Sequence, residues 1–285
     1  MSSFSEPVIA PRIGTGRGLR RLLHPVTPGL WLSVAILIVV ILWAVAPGLW
    51  TGYNPVEGQS GNQLQSPSAA HWLGTDELGR DQLARLIHGA RYSLSGALTA
   101  VGVGLLVGTL IGLVAGATGG RTDTVIMRLV DVLLAIPSLL LALSFIIILG
   151  FGHIQAAIAV GITSIAAFAR LARSEVVSVR RREYVEAAFG SGGTFLGVVW
   201  RHVLPNSLNS VLAYAAVQFG WAILQISTLG FLGYGAPPPT PEWGLMIAEG
   251  RNYMTTSWWL TIFPGLFVIV VVLAANRVGR ALRRN

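Results

Sequence analysis

The sequence predicts an all-α integral membrane protein with six transmembrane helices and both termini on the inner side. Three observations carry this. Of 285 residues, 53% are hydrophobic and only 11% charged, against about 25% charged in a soluble domain. Six apolar runs are each long enough to cross a hydrocarbon core of about 30 Å, which takes roughly 20 helical residues. The basic residues fall almost wholly on one side of those runs.

The runs are Leu30 to Trp50, Ser93 to Ala117, Val125 to Leu149, Ile154 to Leu171, Leu208 to Leu232 and Trp258 to Ala275. Each is continuous rather than alternating, which favours helices over a barrel. The first is read as a span rather than a cleaved leader, because its apolar character continues through Leu49 and Trp50. With the N-terminus inside, only Arg80, Arg85, Arg91 and Arg251 lie outside; the other sixteen arginines lie inside. Inner loops collect such residues, so topology accounts for the net charge of +8 without a nucleic-acid partner.

Residues 1–29 form a basic inner tail suited to anionic headgroups, and residues 30–285 the membrane domain. Its longer connections are the outer segments 51–92 and 233–257 and the inner segment 172–207.

Composition excludes several chemistries. The chain has no cysteine, hence no disulfide or thiolate metal site. It has no lysine either, and a phosphate-binding loop of the G-x-x-x-x-G-K-[ST] kind needs one. The five histidines, His24, His71, His88, His153 and His202, are scattered. Gly58-Gln59-Ser60-Gly61 resembles the G-x-S-G of intramembrane serine proteases, but it sits in an outer polar loop and the sixth span has no histidine. No catalytic, metal or cofactor-binding residue is expected.

In the inner segment, residues 180–188 form one short helix. Gly190, Gly192 and Gly193 stop it, and Gly190 should loosen its end. A second short helix carries Phe195, Leu196, Val198, Val199 and Trp200. Pro205 suits the first turn of the fifth span. An exposed apolar face flanked by charges points to docking.

Glu186-Ala187-Ala188, then Gly192, then His202-Val203-Leu204-Pro205 resembles the EAA signature of ABC-importer permeases. The resemblance implies the type I permease architecture and a coupling role for Glu186, Ala187, Ala188, Gly192, His202, Leu204 and Pro205 against cytoplasmic ABC ATPase subunits. Those subunits would bind the ATP and magnesium; this chain would hold no cofactor. Histidine stands at 202 where the family usually has isoleucine, and Arg201 to Asn206 is similar to the peptide-permease version.

The outer segment supports the same branch. Gly74-Thr75-Asp76-Glu77-Leu78-Gly79-Arg80-Asp81 resembles the G-T-D-x-x-G-R-D of C-type peptide and nickel permease subunits. Asp81 is a good N-cap. Leu83, Leu86, Ile87 and Ala90 then fall at helical spacing, with Arg85, His88 and Arg91 opposite, which predicts an amphipathic helix along the outer headgroups. Pro241-Glu242-Trp243-Gly244 resembles the same branch, behind a stiff rim at Pro237, Pro238 and Pro239. Gly74, Thr75, Asp76, Gly79, Arg80, Asp81, Pro241 and Trp243 are candidates to face a binding protein; a capping network is the equal alternative.

Within the bilayer, Gly104, Gly108, Gly112 and Gly116 give a small-residue face for close packing. Pro137 and Pro264 should kink their spans. Asp131 is a candidate pathway residue, although an i,i+3 pair with Arg128 explains it more simply. The resemblance implies half of a peptide pathway in a bacterial inner membrane. A second, B-type permease subunit and an extracytoplasmic substrate-binding protein would complete it. Nickel or glycoside cargo, or a secondary transporter without ATPases, are the alternatives.

Overall fold

The computed structural model describes residues 28–284 and, from Leu282 on, the backbone alone. Nearly all of the basic tail, residues 1–27, therefore lies outside the described residues. Ten α-helices appear among the described residues: α1 (Pro28–Val45), α2 (Gln82–Thr118), α3 (Gly120–Ala135), α4 (Ser138–Leu149), α5 (His153–Arg180), α6 (Glu183–Gly190), α7 (Phe195–Val198), α8 (Leu204–Phe231), α9 (Trp243–Gly250) and α10 (Trp259–Arg284).

Helices α1, α2, α5, α8 and α10 are each long and apolar enough to cross a membrane. The pair α3–α4, bent by 96° at the break between them, makes a sixth candidate span when its two helices are taken together. The sequence suggests one kinked helix there. Proline explains the sharper outcome: it disfavours helical backbone at the residue before it, and Ile136 is extended (φ −85°, ψ 130°). Pro264, by contrast, sits inside an unbroken α10.

Helices α2 and α5 form the central pair. Their seam is the glycine face of α2. A Cβ on Gly108 would come within 2.6 Å of the Ile165 carbonyl, and one on Gly112 within 2.4 Å of the Ala169 carbonyl. Only glycine allows backbones this close, and small residues serve this purpose where lipid offers no hydrophobic drive. Around the seam, Leu86, Ala90, Leu94, Ala97, Val160, Ile223, Ile226 and Val271 form the main buried cluster.

The expected headgroup helix is instead the start of α2, and this corrects the sequence reading. At about 1.5 Å per residue, α2 is about 55 Å long, so its first turns extend past the hydrocarbon without a break. Arg85 on that stretch is buried rather than facing water.

Candidate functional site

Outer cap, inner loop and a cleft between them are the three places where polar groups gather. The outer cap begins with Asp81, which accepts from the Ala84 amide at 2.7 Å and starts α2. Its other carboxylate oxygen meets His71 Nδ1 at 2.9 Å. Asp76 accepts from Arg80 Nε at 2.6 Å and Arg85 Nη1 at 3.1 Å. Glu249, on α9, takes Arg85 Nη2 at 2.7 Å and lies 3.6 Å from Arg80. Gly79 (φ +75°) turns the chain between these groups, and a Cβ there would meet the Gln59 carbonyl at 2.3 Å.

Ionised, Asp76, Glu77 and Glu249 set three carboxylates against the two guanidinium groups of Arg80 and Arg85. Burial pushes the Glu249 carboxyl up to about 7, the Arg80 charge opposes this, and Glu77 and Asp76 add to it. Burial also raises the Glu242 carboxyl, against three hydrogen bonds that favour its ionised form. Glu242 caps α9 by accepting from the Gly244 and Leu245 amides at 3.0 and 2.8 Å. Trp243 is wholly buried, stacks edge-on against Phe267 and donates to the Leu86 carbonyl at 3.0 Å.

All eight residues offered as facing a binding protein, Gly74, Thr75, Asp76, Gly79, Arg80, Asp81, Pro241 and Trp243, are buried. Their arrangement is that of the capping network, because charged and aromatic groups here satisfy helix ends and one another. The exposed surface of the same segments is Trp72, Leu78 and the rim Pro237 to Pro239.

On the inner side, α6 and α7 form a helical hairpin. Gly192 (φ +85°) makes its turn, and the Gly193 amide closes on the Ala188 carbonyl at 3.1 Å. Gly190 is the last residue of α6, where loss of helix propensity matters less than in an interior. Thr194 caps α7, accepting from the Gly197 amide at 3.3 Å. A π-helical turn over Val199–Val203 then runs directly into α8, with Pro205 in its first turn. Val185, Val198, Val199 and Val203 are buried against Leu113, Ala117, Val176 and Val179 at the inner ends of α2 and α5.

That anchoring leaves the opposite face bare. Glu186, Ala187 and Gly192 are exposed, as are Tyr184, Phe195, Leu196 and Trp200. Ala188 and His202 are half-buried, Leu204 likewise, and Pro205 is exposed. The hairpin thus brings Glu186, Ala187 and Ala188 beside Gly192, while His202 to Pro205 belong to the α8 junction.

Asp131 is paired across helices with Arg170 on α5, not with Arg128 as the spacing suggests. Nearby, Arg173 grips Asp123 through two bonds, fixing α3 to α5. Arg170 lines a cleft of about 830 Å³ between α3, α5 and α8, together with Glu175, Asn209, Ser210 and Tyr214. Sequence reasoning missed this set. Arg170, Glu175, Asn209 and Tyr214 lie on two helices far apart in the chain, and no local spacing joins them.

Together these features define a multi-pass membrane protein with a capped outer end, a docking-type inner hairpin and a polar cleft. The chain belongs to the family described as the binding-protein-dependent transport system inner membrane component, whose model matches residues 108–285. It is 42% identical to the dipeptide transport system permease protein DppC of Alkalihalophilus pseudofirmus, over 88% of this chain and 84% of that one. It is 39% identical to the glutathione transport system permease protein GsiD of Pectobacterium atrosepticum, over 88% and 83%. Among solved structures it resembles an inward-facing form of the MetNI methionine ABC transporter. The TM-score is 0.56 at 19% identity, covering 70% of this chain and 97% of that one. The chain is therefore an inner-membrane permease subunit of an ABC importer and not an enzyme.

Proposed function

We infer that this chain forms half of a translocation pathway for di- or oligopeptides and couples it to ATP hydrolysis through the α6–α7 hairpin. The exposed face of that hairpin carries the reading. Tyr184, Phe195, Leu196 and Trp200 are apolar and exposed on an inner loop whose other face is locked to α2 and α5. An unlocked loop would absorb a push; a locked one passes it to the central helix pair.

Cytoplasmic ABC ATPase subunits, which bind ATP and magnesium, would seat on this face. A second, B-type permease subunit completes the path, and an extracytoplasmic binding protein delivers peptide at the outer rim. Nucleotide would shift the inward- and outward-open states only through different affinities for the two. Peptide cargo is favoured because dipeptide and glutathione permeases are among the similar proteins.

Ala188→Arg tests the coupling. The half-buried Ala188 sits where the hairpin closes on itself, so a long cation there misfits any close partner. The expected result is loss of ATPase co-purification and of uptake with membrane insertion retained. Normal co-purification together with normal uptake would overturn the assignment.

A further inference from the structure

We propose that the cleft between α3, α5 and α8 holds cargo on the inner half of the path, with the Glu175 carboxylate receiving the peptide's α-ammonium group. The proposal rests on the peptide-importer reading above and adds the residue that recognises the cargo.

The cleft has the size and lining for this. Its volume of about 830 Å³ falls within the roughly 300–1,000 Å³ of small-ligand sites. Ser174, Asn209 and Ser210 bring hydroxyl and amide groups to its wall, which suit peptide N–H and C=O groups of any sequence.

Charge then decides the end of the cargo it favours. Arg170 is engaged by Asp131. Glu175 is half-buried on the same wall and has no ion pair among the described residues. The three groups sum to one negative charge, which attracts a cation. Glu175 lines this cleft from α5, just past the apolar run that ends at Leu171, where a carboxylate stays charged and open to cargo. A half-exposed carboxylate also suits transport. A path must hold cargo firmly enough to admit it and loosely enough to release it.

Glu175 stands five residues before Arg180, the last residue of α5. At about 1.5 Å per residue that is about 8 Å from the helix end, so cargo there is close to release.

The test uses the complete transporter in liposomes with its binding protein, ATP and a labelled dipeptide. Glu175→Gln removes the charge and keeps the shape; Glu175→Asp keeps the charge. The expected result is an about three- to tenfold loss of uptake in E175Q, the scale of a partly solvated charged contact. ATP hydrolysis stimulated by the loaded binding protein should persist, and E175D should recover much of the uptake. Equal uptake by parent and E175Q would overturn the proposal. Loss of the second permease subunit from purified E175Q would also overturn it, by making the cleft a subunit interface. Absence of dipeptide uptake by the parent would instead remove the importer reading, and the cargo assignment with it.

Discussion

Arg85 reaches Glu249 at 2.7 Å, and so binds the first turn of α2 to the last turn of α9. The same guanidinium holds Asp76 at 3.1 Å. One buried side chain thus joins the G-T-D segment, the second helix and the outer loop. Breaking a buried pair by removing one partner costs about 3–5 kcal/mol. Glu249 is one-fifth exposed, which places this case near the lower bound. Arg85→Met should lower the thermal midpoint of the purified protein by several degrees, while Arg91→Met, at an exposed position, should leave it unchanged. Equal midpoints would mean the network contributes nothing to the cap.

The same cluster should make the outer cap sensitive to pH. The folded Glu249 carboxyl sits at about 7, above an unfolded value of about 4.3. Between those values the folded chain holds a proton that the unfolded chain has lost. Stability therefore falls as pH rises through this window and levels off above it. A melt series from pH 5 to pH 8 should show the decline, and Glu249→Gln should flatten it. A series that rises over this range in the parent would contradict the charge balance of the cluster.

Much of this fold was legible because lipid imposes simple rules. Five of the six apolar runs and the four-residue glycine spacing each point to a feature the structure has. The outer cap was less legible. Asp76 and Arg80 belong to one motif and Trp243 to another, but a motif does not say whether side chains point outward or inward. Their burial depends on Glu249 and Phe267, residues far along the chain with no local signature. The Asp131 partner was hidden for the same reason. Arg128 is close in sequence, yet Arg170 is the neighbour once α3 lies against α5. Local spacing predicts contacts within a helix; contacts between helices need the packing.

The glycine seam gives a sharper test of that packing. Gly112→Ala would place a Cβ 2.4 Å from the Ala169 carbonyl, and backbone cannot move aside cheaply. Overpacking of this kind costs about 1–3 kcal/mol. Gly102→Ala, on the same helix, meets open space and should be harmless. Comparing the folded yield and thermal midpoint of the two variants separates packing from helix propensity, since both exchange the same residues. A Gly112→Ala protein as stable as the Gly102→Ala protein would show that α2 and α5 are farther apart than described.

Topology and burial can be tested together, because the chain has no cysteine of its own. Ser60 is exposed in the first outer segment, Thr240 is half-exposed beside the proline rim, and Ser191 is exposed on the inner hairpin. Single cysteines at Ser60 and Thr240 should react with an impermeant thiol reagent added to intact cells. A cysteine at Ser191 should react only after the membrane is opened. Thr75 adds a control that topology alone does not supply. It lies in the same outer segment as Ser60 but is wholly buried, with its hydroxyl between Gln65 and Asn62. A cysteine there should resist the reagent from both sides until the protein is denatured. If Thr75→Cys labels as fast as Ser60→Cys in intact cells, the capping network is open, and the G-T-D segment regains the outward role its motif suggested. If Ser191→Cys labels from outside, the inner hairpin is on the wrong side for any ATPase, and the coupling proposal ends there.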